Sequence, residues 1–452
     1  MARTVVGAFY ERAAAAPNEV AVLEKRFGKW VERPCGEVAA EAALLANGLG
    51  ELQVGPGDTA VLMVSARLEW ITYDLAIQAI GARSLAIPTR FREEDVVRIL
   101  AESGAATVIA ERQDEADVVL TAMEAGQLPA VRHIVYIDPA GVSDYTSDVL
   151  VSVDQLRTDG ANLGALAEAL DPTATAALIP TIDASSLTPI SHATMLEATR
   201  STIEAFELAK SDRMIAVRDM ADPAERGATL YAALLSGAML AVPESVDTTD
   251  SAIHEIAPTY VHVTERWLTH QAAQITVRFD ENHGIKSRLA ASWRKRTGSS
   301  LERYGSGRAP RGLWRFMVSI PILEELGLEK ARAVVVSGDP SPSALVGFYT
   351  ALGLPVRPAL AVRKLAGFAT IGHPNDADGW VGTPAPGVEV TIEDGKLVAS
   401  TEAAGRIVTQ HSATELDGGF VVNGSSPEEA AETQLRAVPA FATAVVSPGA
   451  KS

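Results

Sequence analysis

With 452 residues, the chain is long enough to bury sizeable cores and to form two or more subdomains. Its 57 acidic residues against 39 basic ones leave a net charge of −18, which excludes a general affinity for nucleic acid. A single cysteine, Cys35, excludes an intramolecular disulfide, and no Cys/His grouping has zinc spacing, so no metal site is expected.

The opening stretch, MARTVVGAFYERAAAAPNEV, lacks the basic-then-apolar plan of a signal peptide. Charged residues also break each apolar run before it could span a bilayer, so the cytoplasm is the expected location. Further along, β-branched runs at 59–64, 107–109, 134–137 and 333–336 alternate with helical patterns at 39–49, 194–208 and 343–352. That alternation predicts α/β layers with largely parallel strands. Between 367 and 400 the pattern changes to short strands split by Gly and Pro. The final SPGAKS reads as a loose tail.

Several segments carry a family pattern in order: VGPGDTAVLM (54–63), EWITYDLAIQAIGARSLAIP (69–88), VVRILAESGAATVIAE (96–111) and SDRMIAVRDMADPAERGATLYAALLSGAMLAVPES (211–245). IAPTYVHVTERWL (256–268), VVVSGDPSPSALVGFYTALGLPV (334–356) and GWVGTPAPGVEVTIEDGKL (379–397) continue it. Together they resemble the long-chain fatty acyl-CoA synthetases of the adenylate-forming (AMP-binding) superfamily, whereas any one alone would be a weak signal. The resemblance implies a large domain of two α/β subdomains and a small β-barrel over 1–400, with 401–452 as a remnant of the small C-terminal domain.

The chemistry departs from that family. ALIPTIDASSLTPISHATML (177–196) stands where the phosphate loop belongs. Such a loop needs glycines for close backbone approach, donors aimed at oxygens and usually a lysine. Here Thr181, Ser185, Ser186 and Thr188 remain, no glycine or lysine is present, and Asp183 would repel a triphosphate. In the register the resemblance gives, the adenylate and metal signature reads Leu360-Ala361-Val362-Arg363-Lys364, with Arg363 for the phosphate-touching threonine and Lys364 for the metal-binding glutamate. An ammonium in place of a carboxylate reverses the sign of a magnesium site. Two readings stay open: a solvated basic pair, or a new anion site built by Arg363 and Lys364.

The ribose-binding segment finds no counterpart between Leu397 and Gly405, so an active enzyme would need some residue near Asp376 or Asp378 to hold ribose. The hinge expected near 410–415 is also missing, and Lys451 is the only lysine after Lys396. The expectation is therefore a disabled synthetase-like protein with no cofactor, binding an acyl or apolar ligand or a protein partner. The alternative is an active ligase with an altered nucleotide site, using ATP, Mg and CoA.

An acyl pocket is expected around Tyr231, Gly237, Val261, Ser337 and Leu360. Asp222 stands where long-chain members place a histidine at the tunnel mouth, either changing what enters or tolerated as drift. Ser337-Gly338-Asp339 lacks the spacing of a hydrolase elbow and reads as a turn. His254, His262 and His270 fall on a helix, a strand and a helix, and His192 reads as a structural holdover. The stretch 286–315 carries nine basic residues against Glu302, with Trp293, Tyr304 and Trp314 between them. It is a solvated surface, or it meets an anionic membrane or an acidic protein partner.

Overall fold

The computed structural model describes residues 2–88, 91–181, 183–281, 319–338, 343–373, 382–416 and 419–422. The basic stretch 286–315, Asp376, Asp378 and the final 30 residues therefore lie outside the described residues. The described chain divides into two compact units, one built from 1–249 with 362–367 and 402–405, the other from the rest, beginning at Asp250.

In the first unit, α1 (Val5–Ala15) leads into β1 (Val20–Arg26), β2 (Lys29–Pro34) and α2 (Cys35–Glu51). A parallel layer follows: β3 (Thr59–Met63), α3 (Leu68–Ala79), β4 (Arg83–Ala86), α4 (Glu93–Ser103), β5 (Thr107–Ala110), α5 (Gln113–Glu124), β6 (His133–Tyr136) and β7 (Leu150–Ser152). β8 (Thr175–Pro180) and β9 (Leu187–Ser191) then form an antiparallel hairpin, and β10 (Arg213–Ile215) and β11 (Met239–Val242) join the sheet of β1 and β2. The seven-stranded sheet runs β7-β6-β5-β3-β4-β8-β9.

Local chemistry explains these elements. All four residues of β5 are buried, and short continuous apolar runs of that kind suit a parallel strand covered on both faces. α4 opens with Glu93, Glu94 and Asp95, which favour the positive end of the helix dipole, and stops at Gly104 in the left-handed region (φ +60°). α3 is different: from Trp70 to Ala79 each residue is buried, including Asp74 and Gln78. A helix enclosed on all sides belongs to a core, and its polar residues then require partners.

In the second unit, β12 (Tyr260–Val263), β13 (Ala333–Ser337), β14 (Val356–Val362), β15 (Gly367–Ile371) and β16 (Thr383–Pro384) lie side by side in that order. β12, β13 and β14 are parallel. A second, four-stranded sheet contains β17 (Glu389–Glu393), β18 (Lys396–Thr401), β19 (Gly405–Leu416) and β20 (Gly419–Val422). The expected division at 400/401 falls inside β18, before its last residue Thr401, and β18 and β19 belong to one sheet, where Thr409 Oγ1 also donates to the carbonyl of Leu397 at 2.8 Å.

Candidate functional site

The segment aligned with a phosphate loop is the turn of the β8–β9 hairpin, where Ile179 pairs with Thr188 and Pro180 with Leu187. The turn satisfies itself. The Thr181 amide donates to the Ser186 carbonyl at 2.9 Å and the Ala184 amide to the Thr181 carbonyl at 2.9 Å. The amides of Ser185 and Ser186 each donate to Thr181 Oγ1 at 3.0 Å. Asp183 Oδ1 accepts from the Ser185 amide at 3.1 Å and from Ser185 Oγ at 2.8 Å. Hydrogen bonds from Thr181 and then Ser185 hold the Asp183 carboxyl below its ordinary range. A carboxylate of the chain thus takes the Ser185 amide and hydroxyl as its own donors.

Thr188 lies in β9 rather than in the turn. Beside β9 packs the short turn Arg363–Leu365, on which Arg363 is half-buried and Lys364 exposed. The hairpin and the Arg363–Leu365 turn thus pack together in the first unit, with Lys364 at the position where the resemblance expects a metal-binding carboxylate and Arg363 where it expects a threonine. Leu360 lies in β14 of the second unit, buried.

The chain from Asp222 to Tyr231 builds a buried polar network in this unit's interior. Asp222 caps the turn Pro223–Glu225, accepting from the Ala224 amide at 2.9 Å, and pairs with Arg218. Residues Arg226–Tyr231 then form a π-helical turn whose side chains meet α3. Asp74 receives donors on both oxygens: Arg226 Nη2 and Ser84 Oγ (2.6 Å) on one, Tyr231 Oη (2.5 Å) and Gln78 Nε2 (2.9 Å) on the other. Arg226 Nε also donates to Tyr231 Oη at 2.8 Å, and its guanidinium lies 5.3 Å from the centre of the Trp70 ring. Burial drives the Tyr231 phenol well above its usual range, so this hydroxyl stays protonated. The sequence offered a signal here, because Asp74 and Gln78 sit one turn apart in the mostly apolar stretch Tyr73–Ala79.

Against this network lies a cavity of about 10 Å³, lined among others by Ile179, Met195, Arg226, Gly227 and Tyr231. That is room for about one water molecule. Gly237, the other residue of this unit expected in an acyl pocket, ends the helix Ala232–Ser236 with φ +89°.

A family profile described as AMP-binding enzyme matches residues 9–414. The chain belongs to the AMP-binding enzyme family. Among members of this family, it is 26% identical over 495 residues to the long-chain-fatty-acid–CoA ligase FadD15 of Mycobacterium bovis, an alignment covering 99% of this chain and 80% of that one. FadD15 of Mycobacterium tuberculosis aligns with the same identity and coverage. The fold is that of adenylate-forming CoA ligases. The anthranilate CoA ligase AuaEII in complex with anthranoyl-AMP superposes with a TM-score of 0.71 at 17% identity, over 94% of this chain and 77% of that one. The N-terminal domain of FACL13 from Mycobacterium tuberculosis gives 0.70 at 18%, over 93% and 100%.

His192 is the first residue of the helix His192–Phe206; it is buried, neither ring nitrogen has a hydrogen-bond partner among the described residues, and burial pushes its pKa down to about 4. In the second unit, Val261 is buried in β12 and Ser337 ends β13. Ser337 Oγ lies 2.7 Å from His262 Nε2, a pair 75 residues apart that no sequence spacing announced. A serine beside a histidine has the chemistry of an activated nucleophile, but both are buried and the ring packs edge-on against Phe368, 5.4 Å away. His254 lies in the helix Thr249–Ile256 and His270 in the helix Glu265–Glu281, which separates them from His262 by element as expected.

Proposed function

We propose that this chain is a member of the AMP-binding enzyme family that has given up adenylation and acts by binding. The observation that carries the reading is the β8–β9 turn, whose amides and hydroxyls are occupied by Thr181 and Asp183. A nucleotide phosphate would have to displace those contacts and approach an exposed carboxylate. Each charged hydrogen bond left unmade is worth on the order of 1–3 kcal/mol, so a few of them carry a micromolar site to millimolar or weaker. The exchange of a metal-binding glutamate for Lys364 acts in the same direction.

Calorimetric titration with Mg-ATP tests this directly. No saturable heat is expected up to millimolar nucleotide, and a dissociation constant below about 100 µM would return the chain to the ATP-, Mg- and CoA-dependent ligases.

What is bound follows from two features. The relatives named as long-chain-fatty-acid–CoA ligases support an acyl ligand, held by Val261, Ser337 and Leu360 or near Tyr231. The small cavity beside Tyr231 supports instead a reading in which the interior is closed and the surface does the work. The second carries further, because an acyl chain entering at Tyr231 would have to open the Asp74–Arg226 pair.

A further inference from the structure

The first unit carries a groove of about 930 Å³ at the C-terminal ends of β3, β4 and β5, between α4 and α5. None of the residues of the β8–β9 turn or of 363–364 lines it. Its place follows from topology. The chain leaves β3 for β4 on one side, then returns past β3 to β5 on the other, so the connections diverge at the β3/β5 boundary. In open α/β sheets a crevice at that point, outside the carboxyl ends of the strands, is where ligands are received.

The lining has two zones. Its floor is apolar, with Met63, Ile87, Phe91, Val97 and Val118. Its rims are acidic: Glu93 and Glu94 from α4 face Asp114 from α5, all three exposed and without a hydrogen bond or ion pair among the described residues. The deeper acids are spent locally, Glu111 on the Ser65 amide (2.7 Å) and Arg67 (3.0 Å), Glu115 on the Arg112 amide (2.9 Å) and Asp117 on Tyr145 (2.9 Å). Helix dipoles account for acids in a first turn, but they do not account for an apolar floor left open between two such turns. Arg112 is the only basic side chain among the described lining residues.

An apolar floor within acidic rims fits an aromatic side chain flanked by cations. The chain itself contains that pattern: Trp293-Arg294-Lys295-Arg296, inside a stretch with nine basic residues and one acidic, on a protein of net charge −18. We propose that the α4/α5 groove binds the 293–296 segment of a second copy of this chain, the Trp293 indole on the floor and the three cations against Glu93, Glu94 and Asp114. A cavity of this size holds one large anchor and its neighbours, not a folded domain. Complementary charge at exposed rims governs pairing and encounter and is screened by salt. The contact is heterologous, so reciprocal exchange gives a closed dimer and one-way contact gives open chains.

Sedimentation of the full chain at about 50 mM and about 500 mM salt, together with fluorescence binding of a synthetic 286–315 peptide, tests the proposal. Self-association at low salt that reverses at high salt is expected, with the peptide competing for it. In Glu93→Lys/Glu94→Lys/Asp114→Lys the peptide affinity falls at least tenfold and association is lost. Arg294→Glu/Lys295→Glu/Arg296→Glu loses association as well. Mixing these two variants restores it, which neither misfolding nor a general charge effect would do. A chain that stays monomeric and binds no peptide at low salt overturns the proposal. So does peptide binding indifferent to the groove variant, or binding to phosphatidylserine vesicles without self-association.

Discussion

His192 couples acidity to stability through one buried ring. In the folded chain burial favours the neutral imidazole, with a pKa of about 4, whereas the unfolded chain takes up the proton at an ordinary 6.5. The contribution is complete above 6.5, falls as pH drops because the unfolded state binds the proton first, and levels off below about 4. The interval corresponds to about 3 kcal/mol. Urea unfolding of wild type and His192→Phe from pH 7.5 to 4.5 should show the variant losing stability less steeply, and parallel curves would deny the ring this role. Arg226 supplies a second test at this scale. Asp74→Ala leaves a buried guanidinium without its carboxylate and should cost about 3–5 kcal/mol. Because the pair acts as a unit, Asp74→Leu/Arg226→Met should cost less than the two single changes together, measured by the same unfolding curves.

At the scale of elements, the π-helical turn Arg226–Tyr231 depends on a glycine. A Cβ on Gly227 would lie 2.6 Å from the carbonyl oxygen of Ala366, a backbone atom in the segment that follows Arg363 and Lys364. Alanine gains up to about 1 kcal/mol of helix propensity over glycine, but overpacking against a fixed carbonyl costs about 1–3 kcal/mol. Gly227→Ala is therefore expected to destabilise, and to weaken hydrogen-exchange protection of the Ala366 amide, which donates to Arg363 at 2.9 Å. Unchanged stability and protection would mean that the 363–366 turn yields at no cost. The β8–β9 turn is the contrasting element, since its geometry is local and Ala184, at φ +55°, is held by hydrogen bonds within six residues.

For the whole molecule, the question is whether an apolar ligand enters at all. Burying a methylene is worth about 0.8 kcal/mol, so a site for a medium or long acyl chain would show micromolar binding without nucleotide. Such binding would raise the thermal midpoint with fatty acid concentration. A Tyr231→Ala variant, which enlarges the cavity beside Arg226, should bind such a ligand more readily than wild type if the closed interior is what excludes it. A wild-type midpoint that rises with chain length would favour the acyl reading over the closed one. Gly237→Trp would be a poor probe, because φ +89° makes any side chain there strained before it blocks a pocket.

The sequence by itself determined the family frame, because ordered segments from 54 to 397 carry it, and because β-branched runs and helical periods obey local rules. It also showed which groups of a phosphate loop the segment 177–196 lacks, since the absence of glycine and lysine there is a statement about composition. How the Asp183 carboxylate is held required the structure: its bonds depend on how Thr181 and Ser185 fold back on the hairpin. The Asp74–Arg226–Tyr231 network joins positions more than 150 residues apart, and the His262–Ser337 pair joins positions 75 apart. No local period encodes such meetings. They arise because burial forces each polar group to find its partner wherever packing brings one within reach.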